Sequence, residues 1–414
     1  MKKRGGCFTL LLSLLFCGCF ESKTITLWTD RPEFAVYAEY FNSTQNAYKV
    51  ETRYVESLSS ELADSPASPD IAVGSWLKNT STRILFSPLD DLFKKDKGEV
   101  KNAFYPHLLA LGNIEGKQYL LPVSFNIPAL AFARNNSYLL PNSFTVNLDE
   151  IREVGKAYNT ENNGVYSRMG FSPSWSDDFL FMTATLFNAS FREAAPLAWD
   201  PEALERAMVY VRDWIEDANQ GFRAEDDFVF KYFYDPPSNL ALSGRILFTY
   251  MNSADLFTLT EEKRTNLDFR WIAEKNIIPL SEEAVYLGIC KRGKAKKAAE
   301  AFTHWFFQED TQRHLLEASR DKWLTETFFG IGNGFSALRT VTEYIFPQFY
   351  PNLLGHMPPE DFLSPPNILP WNWTAIKERV ILPYLQDRIR SDNRNTIRSL
   401  ERRLGEWVRL NRGL

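Results

Sequence analysis

The sequence predicts an α/β protein, and three observations carry that prediction. A strand, a helix, a strand, a connector and a strand follow one another between Lys23 and Val73. Strand-like and helix-like segments keep alternating from there to about Cys290. Aromatic residues are abundant, with 11 Trp, 17 Tyr and 32 Phe, enough to fill more than one core.

The elements follow in order. KTITLW, Lys23 to Trp28, is a short β-rich run. Pro32 opens PEFAVYAEYFNSTQ, whose apolar residues recur near i, i+3, i+4 and i+7, a helical period. Tyr48 to Val55 reads as a second strand, SLSSELADSPAS as a connector, and Asp70 to Val73 as a third strand. Gly116 to Asn135 holds two short β runs separated by polar and Pro positions. Leu148 begins an amphipathic helix, FLFMTATLF is an apolar one, and another runs from Pro201 to about Ala218. Ser238 to Tyr250 is a helix-to-strand unit, and Trp271 to Cys290 reads as strands joined by loops. Lys294 to Ser319 is strongly helical. A Pro-rich stretch, MPPEDFLSPPNILP, precedes a basic helix expected from about Asn393 to Asn411. The apolar spacing of Ile397, Leu400, Leu404, Trp407 and Val408 predicts that this last helix docks on the body of the protein.

The N-terminus fixes the compartment. Lys2, Lys3 and Arg4 precede an apolar run from about Phe8 to Phe16, and Gly18 then precedes Cys19. A charged start, an apolar stretch too short to span a bilayer and a small residue before the cut describe a secretory signal, residues 1–18. Gly18-Cys19 resembles the lipobox of bacterial lipoproteins, which implies acylation at Cys19 and a protein held on a membrane without crossing it. Beyond the signal the chain carries 44 basic and 52 acidic residues, a balance that argues against nucleic-acid binding. Only Cys19 and Cys290 remain there, so an acylated Cys19 leaves no internal disulfide.

Enzyme constellations are not evident. The sequence has no HExxH, GxSxG or GxxxxGK[ST], and His107, His304, His314 and His356 are scattered. Ser75-Trp76-Leu77-Lys78 matches SxxK and Ser391-Asp392-Asn393 matches SDN, but no KTG follows, so the pair reads as coincidence.

Several ordered motifs resemble the extracellular solute-binding proteins of ABC importers, in particular the large sugar-binding type related to maltose-binding protein. ITLW and PDIAVGSW are similar to that family's first and third strands. Gly116-Lys117-Gln118-Tyr119 with Leu121-Pro122 and Ala129-Leu130 resembles its hinge-crossing stretch. Gly170-Phe171 with Trp175, Gly244 to Phe248, and KAAEAFTHWFFQEDTQRHLL after Cys290-Lys291 resemble later family segments. The resemblance implies a periplasmic-binding-protein-like fold: two α/β lobes, a hinge and an interlobe cleft that closes on ligand. It places residues 19–127 and about 277–330 in the first lobe, and about 128–276 and 331–414 in the second. It implies no enzyme activity and no cofactor. The expected partners are a small carbohydrate or polyol, the permease subunits of an ABC importer, and a membrane through the lipid anchor; a monomer is expected.

Sugars offer apolar ring faces and a belt of hydroxyls, so aromatic side chains and polar groups should meet in the cleft. In open α/β sheets ligands lie beyond the carboxyl ends of strands. Trp28, Trp76, Trp175 and Trp371 stand at strand ends or in loops, near Asp30, Asn126, Asn252 and Asn372. With Phe125 and Tyr250 they are the candidate ligand contacts, while Trp214, Trp305 and Trp407 on helical faces are assigned to the core and Asp70 to a structural turn. The expected function is that of a lipid-anchored substrate-binding subunit taking up a sugar, oligosaccharide or polyol. The alternatives are a binding lipoprotein of the same fold for another organic solute or feeding a sensor, and a secreted hydrolase.

Overall fold

The computed structural model describes residues 23–95 and 99–411. The signal segment and the acylation candidate Cys19 lie outside the described residues.

Two principal sheets organise the chain. Their strands are β1 (Thr24–Thr29), β2 (Lys49–Tyr54), β3 (Ile71–Gly74), β4 (Leu121–Phe125), β5 (Pro128–Ala133), β6 (Thr145–Val146), β7 (Phe248–Asn252), β8 (Leu267–Ile272), β9 (Val285–Ile289) and β10 (Phe335–Ser336). The six-stranded sheet runs β10-β4-β9-β3-β1-β2 and the four-stranded sheet β7-β5-β8-β6. β1 pairs in parallel with both β2 and β3, as the alternating strand–helix pattern requires.

The helix Phe34–Thr44 crosses from β1 to β2 and buries Phe34, Tyr37, Ala38 and Phe41, the stripe its period predicted. Phe34 and Phe41 meet Phe306 and Phe302 of the helix Lys296–Phe306 at ring distances of 5.3 and 5.2 Å. Asp70 joins these elements. Its carboxylate accepts hydrogen bonds from Thr26 N and Oγ1, both at 2.8 Å, and from the Lys294 and Ala295 amides at 2.6 and 2.8 Å. One buried side chain thus ties β1 to the amides ahead of that helix, and the charge-assisted bonds offset its desolvation.

The second sheet is covered on both faces, because alternate residues of a strand point to opposite sides. Ala129 and Ala131 of β5 join the large core of the first sheet, with Phe269 and Trp271 of β8. Leu130 and Phe132 instead pack beneath second-body helices with Phe171, Phe179 and Trp214. A further cluster, around Phe181, Phe191 and Trp373, is built from helices and the loops between them.

Among the described residues the chain passes between the two bodies three times: between β4 and β5, between β8 and β9, and between β10 and Trp373. Asn126 binds the first passage to its neighbours. Its Nδ2 donates to the Asn333 carbonyl at 2.9 Å, its Oδ1 accepts from Ser253 Oγ at 2.6 Å, and its carbonyl accepts from Ser281 N at 2.8 Å.

Some expectations need correction. Residues 331–414 were expected to lie in the second lobe. Phe335 and Ser336 instead pair with Phe125 and Ser124 in the first sheet, and Val341, Phe346 and Leu353 pack in its core. The connector after β2 contains a helix, Leu58–Asp64, too short for its period to be read. The helix expected over Lys294 to Ser319 is two helices, Lys296–Phe306 and Glu309–Asp321, broken at Phe307. The last helix begins at Leu400, where the Ser399 side chain accepts from Arg402 N, and it docks by burying Leu400 and Leu404.

Glu33, ahead of the first helix, is only 2% exposed, and its carboxylate oxygens have no hydrogen-bond partner on any other described residue. Burial raises its pKa to about 7 from an ordinary value of 4.5. The unfolded chain loses this proton near 4.5 while the folded chain keeps it to about 7. Stability tied to Glu33 is therefore complete below pH 4.5, falls as pH rises toward 7, and is then level. The loss is about 3 kcal/mol. Urea unfolding of Glu33→Gln at pH 5 and pH 8 should show a smaller decline than the parent chain. An equal decline in both would refute this assignment.

Candidate functional site in the cleft between the two bodies

The ends of four strands converge on one edge of the first sheet. Asp30 and Arg31 follow β1, Ser75 and Trp76 follow β3, Asn126 follows β4, and Glu283 lies just before the antiparallel β9. Gly74 permits the closest of these approaches, since a Cβ there would stand 2.7 Å from the Asp30 carboxylate. Ser75 N donates to Asp30 Oδ2 at 3.0 Å, and Arg31 Nε lies 3.1 Å from Asp30 Oδ1. Arg31 Nη2 donates to Ser75 Oγ at 2.5 Å, and that hydroxyl donates to the Glu283 carbonyl at 3.2 Å. Burial raises the Asp30 pKa, and Arg31 opposes the shift.

Trp76 adopts φ +59°, a left-handed conformation that costs a bulky residue on the order of 1–3 kcal/mol. Asn79 Nδ2 donates to its carbonyl and helps hold the turn. The Trp76 ring packs against the helical cluster of the second body. A second link spans the rim, where the Glu193 carboxylate accepts from Thr80 N at 3.0 Å and Thr80 Oγ1 at 2.9 Å.

Trp76 lines a cavity of about 580 Å³ with Asp30, Arg31, Trp371, Glu283 and Trp407. A second cavity of about 290 Å³ adjoins it. Its walls include Tyr250, Asn252, Asp255, Asp178, Phe181 and Lys377. Glu283 belongs to both walls. Between them the cavities draw on both bodies and on the passage between β8 and β9.

Lys377 anchors the second cavity. Its Nζ lies 2.5 Å from Glu282 Oε1 and 2.9 Å from Asp178 Oδ1, and 4.7 Å from the centre of the Phe181 ring. Burial alone would lower its pKa, but the two carboxylates outweigh burial and raise it, so the amine stays charged. Tyr250 is held above its ordinary pKa by burial and the nearby carboxylates, and it keeps its phenolic proton. Asn252 accepts from Asp255 N at 2.9 Å and so begins the helix Ser253–Phe257.

The sequence-predicted contacts divide. Asp30, Trp76 and Trp371, with Asn372, line the larger cavity, and Tyr250 and Asn252 line the smaller. Trp28 does not face either: it is 7% exposed, packs in the first core and lies 4.5 Å beneath the Arg53 guanidinium. Phe125 is buried against Tyr105 and Phe335. Asn126 spends its side chain on Ser253 and Asn333. Trp175 stacks on Phe228 at 5.8 Å within the second body. Trp407, assigned to the core, packs against the helical cluster of the second body and also lines the larger cavity. Sequence reasoning missed Arg31, Glu283, Lys377, Asp178 and Asp255; the charged pair Glu282-Glu283 inside an otherwise apolar stretch was the available signal.

The SxxK match is not a catalytic pair. Ser75 Oγ is engaged by Arg31 and the Glu283 carbonyl, whereas Lys78 Nζ lies 4.6 Å over the Tyr286 ring.

Residues 37–321 match the family described as bacterial extracellular solute-binding protein, and the chain belongs to that family. No curated protein matches the chain by sequence. Solved structures share the fold. The sugar-binding protein MalE of Xanthomonas citri matches with a TM-score of 0.66 at 12% identity, over 94% of this chain and 96% of its own. An ABC substrate-binding protein of Listeria monocytogenes in complex with cycloalternan matches at 0.61 and 14%, over 92% and 96%. The Thermus thermophilus maltotriose-binding protein matches at 0.57 and 13%, over 93% and 98%. The fold is therefore the two-lobed one of these proteins, and the role is capture of a solute.

Proposed function

We propose that this protein captures a carbohydrate or polyol between its two lobes and presents it to the permease of an ABC importer. The observation that carries the reading is the larger cavity, with Trp76 offered from the first lobe and Trp371 and Trp407 from the second. Flat aromatic faces suit the apolar faces of sugar rings, and Asp30, Arg31, Asn372 and Glu283 can meet hydroxyls. The saccharides named for the structural relatives point the same way. Walls drawn from two lobes favour closure, because only the closed form completes both sets of contacts. The protein binds and releases; no covalent step is assigned to it. A thermal-shift screen with sugars, oligosaccharides and polyols tests the reading, since a ligand of the native state alone raises the melting temperature. A shift with a saccharide supports it; shifts confined to other solutes would replace it.

Anchoring belongs to the same proposal. Gly18-Cys19 supports acylation of Cys19 and attachment at the outer face of a membrane. Cys19→Ala should release the protein into the soluble envelope fraction or block its processing. Intact-mass analysis giving an unmodified mature N-terminus elsewhere would contradict it.

A further inference from the structure

The cleft has an excess of negative charge that its own basic residues do not balance. Seven carboxylates and three basic side chains line the two cavities. Arg31 is committed to Asp30 and Ser75, and Lys377 to Glu282 and Asp178. Arg379 stands exposed with Glu56 and Glu378, all three lining the larger cavity. Among the described residues the Glu283 and Asp255 carboxylates have no ion pair, and both side chains are open to the cleft. Crowding by the walls raises the pKa of each; Arg31 only partly opposes this at Glu283.

Closure around a neutral sugar would worsen this imbalance. Hydroxyls can donate to carboxylates, but they bring no charge, and uncompensated carboxylates become costly as water leaves. An ammonium group would remove the cost. It brings three donors and one positive charge, and it is also attracted to the face of a tryptophan.

We propose that the solute is a cationic saccharide, an amino sugar whose ammonium group sits at Glu283 where the two cavities meet, with its rings against Trp76 and Trp371. This rests on the carbohydrate reading above and names the charge of the ligand.

The test is calorimetric titration of the mature full chain with disaccharides that share one skeleton and linkage and differ at position 2. Matched hydroxyl, N-acetylamino and free-amino forms are used in both the α- and β-linked series, with spermidine as a non-saccharide amine. An amino form should bind at least about tenfold more tightly than its matched neutral forms, the scale of a charge-assisted contact. In Glu283→Gln that preference should shrink toward unity, with the melting temperature of the free protein confirming a folded variant. If no amino form binds more tightly than its neutral counterpart, the charge proposal falls. In that case a neutral form that binds well leaves the carbohydrate reading standing. If spermidine binds and no saccharide does, both readings fall. An amino preference that survives Glu283→Gln would overturn the place assigned to the ammonium group.

Discussion

Trp373→Ala should destabilise the protein by about 3–5 kcal/mol, the range for truncating a fully buried tryptophan. Trp373 is 0% exposed, and its ring meets Phe181 at 5.7 Å and Phe191 at 5.8 Å. These three rings join the helix Asp177–Leu186, the loop after it and the last passage of the chain. Alanine would leave a void among rigid rings that cannot collapse to fill it. Among the described residues the Trp373 Nε1 has no hydrogen-bond partner, so the loss would come from packing and not from a lost polar contact. Urea unfolding measures the effect. A loss below about 1 kcal/mol, far short of the cost of truncating a fully buried tryptophan, would contradict the packing described here.

Two residues earlier the expectation reverses. Trp371 is half-buried and lines the larger cavity. Trp371→Ala should reduce affinity for a bound saccharide by about ten- to a hundredfold, equivalent to about 1–3 kcal/mol of stacking. Its unfolding free energy should change far less than that of Trp373→Ala. Titration calorimetry and urea unfolding on the same two variants make the comparison. Were Trp371→Ala to unfold as readily as Trp373→Ala and keep its affinity, the cavity would not be the binding site.

Trp371 and Trp373 also mark what can be read from a sequence. Local periods were legible: the stripe Phe34, Tyr37, Ala38, Phe41 and the apolar run of β3 follow from spacing alone. Placing polar and aromatic residues at strand ends located Asp30 and Trp76 on the cleft edge, because strand direction fixes which end faces a ligand. Sequence could not separate Trp28 from Trp76, since both end strands. The difference lies in register: Trp28 stands opposite Arg53 on β2, whose guanidinium covers its ring. Trp175 was misplaced for a similar reason, because the surface that takes it belongs to Phe228, more than fifty residues away in the chain. Helical spacing predicts that the face carrying Trp407 is covered, and the helical cluster covers part of that ring while the cavity takes the rest. Lys377, Glu282 and Asp178 were invisible as a unit, since charges far apart in sequence pair only once the helices and the passage before β9 are assembled.

Small-angle scattering, with and without saturating saccharide, tests the central claim most directly. A solute held between Trp76 on one lobe and Trp371 on the other should draw the lobes together, so the radius of gyration should fall on binding and the profile of Trp371→Ala should move less at the same concentration. Superimposable profiles of the free protein and a calorimetrically saturated complex would contradict capture by closure of this cleft.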